Sequence, residues 1–143
     1  MPASLMADQL SRIISEATAP AFLLGAVAGF VSVLIGRLNR VVDQGAALLS
    51  ISDQDSEKRR SKDAIPLLRR RAKLMNRAIE CAVVSGICTT FLVILAFANA
   101  LIGVNHAYGS ALLFVVALAF FAASLIFLLL EVRVAVKLLD NSL

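Results

Sequence analysis

Between Cys81 and Leu130 the chain has no Asp, Glu, Lys or Arg. Fifty residues without charge exclude an ordinary soluble domain. As a single helix the run would be about 75 Å long, over twice the roughly 30 Å hydrocarbon core of a bilayer. It must therefore fold back on itself. Other chemistry is also missing. There are two cysteines, Cys81 and Cys88. On one helix their Cα atoms would be about 10 Å apart, too far for a mutual disulfide. No His, Cys and carboxylate cluster has metal-ligand spacing. No GxSxG, P-loop or paired Rossmann glycine signature is present. His106 stands alone in a polar stretch. These absences predict neither an enzyme nor a resident cofactor. No carboxylate falls in the middle of an apolar run, which argues against proton- or cation-coupled transport.

The apolar content is high: 59% of the 143 residues are hydrophobic and mean hydropathy is +0.85. The charge-free run breaks at Gly103-Val104-Asn105-His106-Ala107-Tyr108-Gly109, where Gly and Asn supply turn chemistry. It reads as a hairpin of two spans, about 78–102 and 108–130. Ala19 to Gly36 is a third charge-free run and predicts a span over about 19–36. Asp8 and Glu16 precede it with only Arg12 for balance, unlike the basic flank of a cleaved signal, so this span is expected to be retained. Ser4 to Thr18 has helical periodicity too polar to span and predicts an N-terminal interfacial helix. Pro20 then starts the first span or kinks a longer helix.

Charge placement predicts the orientation. Eleven of the fourteen Lys and Arg residues lie between Arg37 and Arg77, against five acidic residues, so that segment carries +6. The positive-inside rule puts it in the cytoplasm, with the N-terminus outside and the C-terminus inside. The segment has no aromatic residue for stacking a base, so nucleic acid is not an expected partner; anionic lipid head groups are. Leu38, Val41, Val42, Gly45, Leu48 and Leu49 form one stripe, and Leu67, Leu68, Leu74 and Met75 another. Together they predict a cytoplasmic helical hairpin over about 37–77, with a solvated loop from Ser50 to Lys62.

In this topology three helix ends reach the inner boundary at similar depth. They bring Arg37, Arg40, Asn76, Arg77, Glu80, Glu131 and Arg133 to one level. A carboxylate at the edge of hydrocarbon needs a partner, and Arg supplies a bidentate one. The belt reads as structural ion pairing, as a site for an anionic lipid head group, or as the mouth of an ion path. Ala21, Gly25 and Gly29 make a small-xxx-small ladder that would let helices pack closely, within a subunit or between subunits.

The same residues carry a resemblance. Ala19-Pro20-Ala21-Phe22-Leu23-Leu24, Arg37-Leu38-Asn39-Arg40-Val41-Val42-Asp43, Leu68-Arg69-Arg70-Arg71, Met75-Asn76-Arg77-Ala78-Ile79 and Glu131-Val132-Arg133 resemble the bacterial domain-of-unknown-function family numbered 2721. The resemblance spans about Ile14 to Leu138. It implies a three-span protein of the bacterial cytoplasmic membrane and supplies no activity, cofactor or catalytic residue. The reading is thus an all-α integral membrane protein forming one membrane domain over 1–143. Its expected role is structural or accessory, through self-association as a homo-oligomer or binding to a larger membrane complex. An oligomeric ion channel or pore is the alternative.

Overall fold

The computed structural model describes residues 2–50, 55–104 and 106–142, with the side-chain surroundings of 55–63 and 142 left aside. It is all-α. Helix α1 runs Ala3–Ser50, α2 Asp55–Ile102 and α3 Ala107–Ser142. All three are long and apolar enough to cross a membrane, with mean hydropathy of 2.1, 2.4 and 3.0 in their most apolar windows. This is the pattern of a multi-pass membrane protein. At 48 residues, α1 and α2 are each about 72 Å long, well beyond one bilayer core.

Two boundaries differ from the sequence reading. Ser4 to Thr18 is not a separate element: α1 continues through Pro20 into the first span. Proline removes one helical hydrogen bond, and the long flanking apolar segments keep the helix continuous past it. The solvated loop expected over Ser50 to Lys62 is shorter on both sides. Ser50 ends α1, and α2 already begins at Asp55; residues 51–54 lie outside the described residues. Polar composition favoured a loop there, yet Glu, Lys and Arg are good helix formers. At the other turn, Gly103 has φ of 73° and its N–H bonds the Asn99 carbonyl at 2.9 Å. Only glycine takes this conformation without strain, and it ends α2 in the usual left-handed way.

Burial follows a seven-residue repeat on every helix. On α1, Pro20, Val27, Leu34 and Val41 are buried, each seven residues from the last. On α2 two such rows occur: Leu68, Met75, Ala82 and Thr89, then Ala78, Ser85 and Leu92. On α3, Ala117, Ser124 and Glu131 do the same. A strict seven-residue repeat is the seam of left-handed, knobs-into-holes packing.

The contacts divide the chain into two units. Unit 1 comprises residues 1–30 and 82–121. Here Ser85 Oγ donates to the Ala117 carbonyl at 2.7 Å. Phe30 meets Phe121 edge to face, with centroids 5.6 Å apart. Gly86 faces α1: a Cβ there would lie 3.5 Å from Val27 Cγ1, an ordinary van der Waals contact. Unit 2 comprises residues 31–81 and 122–143. Its core groups Val41, Leu68 and Met75, flanked by Leu38, Leu48 and Ala72. Ser124 Oγ donates to the Ala78 carbonyl at 2.6 Å. Between apolar helices in lipid, van der Waals fit and such hydroxyl bonds must hold the packing, because lipid is as apolar as Leu.

Candidate functional site around Glu131

Glu131 follows directly on the charge-free run, at a position of the α3 seam otherwise filled by Ala117 and Ser124. The seam turns it inward, and it is fully buried. A carboxylate there needs charged partners, and two arrive from different helices. Arg37 Nη2 on α1 donates to Glu131 Oε2 at 2.8 Å. Arg71 Nε on α2 donates to Glu131 Oε1 at 2.9 Å. Both arginines stand at seam positions: Arg37 is seven residues after Phe30, and Arg71 seven before Ala78. One charged layer thus ties three helices through one carboxylate.

The energetics of this layer have two sides. Burying ions costs several kcal/mol each, and charge-assisted hydrogen bonds offset part of that. Two guanidinium groups face one carboxylate, so the cluster has a formal charge of +1. The Arg37 side chain is 38% exposed and that of Arg71 16%. Arg37 Nε is buried without a hydrogen-bond partner among the described residues.

The other belt residues lie elsewhere. Arg40, Asn76, Arg77, Glu80 and Arg133 are exposed, and among the described residues none of the charged ones is in an ion pair. Their positions along the helices put them at one expected level; helical phase points them away from the seam. Arg71 was absent from the belt read in the sequence. The available signal was its phase, seven residues before Ala78 and fourteen before Ser85.

The ladder of Ala21, Gly25 and Gly29 is exposed. A Cβ on Gly25 or Gly29 would meet nothing within 4 Å. Among the described residues, the two ladder glycines therefore face no other helix of their own chain, whereas Gly86 faces Val27 and Leu24 of α1. Cys81 and Cys88 are free and half-buried, and His106 is exposed. Thr89 and Thr90 bond back to the carbonyls of Ser85 and Gly86, as threonine does inside a helix. Among the described residues no group of three or more His, Cys, Asp or Glu could hold a metal ion.

No curated protein and no solved structure matches the chain. A family model described as a protein of unknown function, DUF2721, matches residues 17–141, and the chain belongs to that family.

Proposed function

We propose that the protein is a non-enzymatic, structural or accessory subunit of the bacterial cytoplasmic membrane that acts by self-association or by joining a larger membrane complex. The open ladder on α1 carries this reading. Ala21, Gly25 and Gly29 are exposed on one strip, and among the described residues a Cβ on either glycine would meet nothing within 4 Å. A strip of this kind lets a second helix approach closely and gain backbone contact. The surrounding apolar window of α1 is only 17% buried by its own chain, which leaves most of that face to lipid or a partner. The Glu131 layer fits the same role, as a lock that holds three helices in one arrangement. The +6 segment between Arg37 and Arg77 supports an N-outside, C-inside orientation.

The test is native mass measurement of the protein extracted in mild detergent. The reading expects an assembly larger than one chain, reduced to single chains by Gly25→Leu and Gly29→Leu. A single chain without companions under all extraction conditions would overturn it. A ring that conducts ions in planar bilayers would replace it with a channel.

A further inference from the structure

Unit 1 contains a groove of about 690 Å³ at the end where α2 turns into α3. That volume is typical of small-molecule sites, about 300–1,000 Å³. Its depth is set by its walls: it includes Gly103, from the turn in the middle of the charge-free run, so it lies at a membrane–water boundary. Its polar wall carries both signs of charge. Arg12 and Glu16 stand one turn apart on α1, close enough in sequence to pair, yet among the described residues neither is in an ion pair. Pro20 also lines the groove and has no N–H to give the Glu16 carbonyl, the one it would otherwise bond in the helix. An acceptor is thus added beside the Glu16 carboxylate. Asn99 and Ser110 add half-buried hydrogen-bonding groups, and Leu92 and Phe114 supply an apolar wall.

We propose that this groove binds the head group of an amine-bearing zwitterionic phospholipid. Arg12 takes the phosphate, with the bidentate geometry that guanidinium offers. Glu16 and its backbone carbonyl take the ammonium, which has three donors. The C-terminal end of α2 adds negative partial charge for the ammonium, and the start of α3 positive partial charge for the phosphate. The acyl chains continue along Leu92 and Phe114 into the apolar spans. A neutral head group carrying both charges satisfies Arg12 and Glu16 together. An anionic lipid would leave Glu16 facing like charge, and a trimethylated amine has no N–H for the carbonyl.

The experiment places the full chain in nanodiscs of equimolar phosphatidylethanolamine and phosphatidylglycerol with identical acyl chains. Lipid retained per chain is then read by native mass spectrometry. The expected result is one retained ethanolamine lipid, favoured about tenfold. Glu16→Ala should abolish the preference, and Arg12→Ala should lower retention of both lipids, since both carry the phosphate it takes. Both side chains are exposed, so neither change threatens the fold. Retention of the two lipids in the supplied ratio, an unchanged preference in Glu16→Ala, or unchanged total retention in Arg12→Ala would overturn the proposal. Equally tight binding of free glycerophosphoethanolamine would overturn the lipid as its source. The same spectra report assembly mass, so failure here is distinguishable from failure of the self-association reading.

Discussion

Arg71 and Glu131 face each other across α2 and α3, with Nε and Oε1 2.9 Å apart, in the same register as the hydroxyl bonds between these helices. Seven residues further along α2, Ala78 accepts from Ser124, seven residues back along α3. In unit 1, Ser85 donates to Ala117, one more step of seven on both helices. Within unit 2 the ion pair and the Ser124–Ala78 bond are therefore successive positions of one antiparallel seam.

Glu131→Ala should destabilise the protein by about 3 kcal/mol, because two guanidinium groups lose their buried partner. Arg37→Ala should cost less, about 1–2 kcal/mol, since Arg37 is partly exposed and Arg71 still holds the carboxylate. Glu80→Ala should change stability by less than about 0.5 kcal/mol, as an exposed residue outside any ion pair among the described residues. Thermal unfolding of the three variants in one detergent ranks them. Equal loss for Glu80 and Glu131 would contradict the seam assignment.

The hydroxyl bonds should be worth little singly. Ser85→Ala and Ser124→Ala should each cost about 0.6 kcal/mol, the usual scale for side-chain hydrogen bonds between membrane helices. The double variant should show near-additive loss, because the two bonds lie in different units. Reversible unfolding in mixed micelles measures both.

Glycine substitutions should separate close packing from open surface. Gly86→Leu would drive side-chain atoms into Val27 and Leu24 and should cost about 1–3 kcal/mol. Gly25→Leu and Gly29→Leu meet open space within the chain and should leave the single-chain fold intact. Circular dichroism melts report the first effect. A folding defect in Gly25→Leu would show that the ladder is an internal contact after all.

Orientation is accessible through thiol labelling. In a background without Cys81 and Cys88, cysteines replace Leu49 and Tyr108, both strongly exposed. An impermeant maleimide on intact cells should label position 108 and spare position 49. The opposite pattern would reverse the proposed topology.

The sequence by itself determined the all-α class and the three apolar helices. A fifty-residue run without charge has few alternatives in water or lipid, and a glycine-bearing turn divides it. It also placed Arg37 and Glu131 in a belt with Arg40, Asn76, Arg77, Glu80 and Arg133, because a carboxylate beside hydrocarbon needs a cation, but it paired none of them. Only the tertiary structure decided which cations. Arg40, Arg77 and Arg133 lie near the boundary in sequence, yet they are exposed, whereas Arg71 occupies the seam. Depth depends on position along a helix and is legible from composition. Phase toward a neighbour depends on how helices pack, and a shift of one residue turns a side chain by about 100°. The same reason separates Gly86, which faces Val27 and Leu24 of α1, from Gly25 and Gly29, which meet nothing within 4 Å among the described residues.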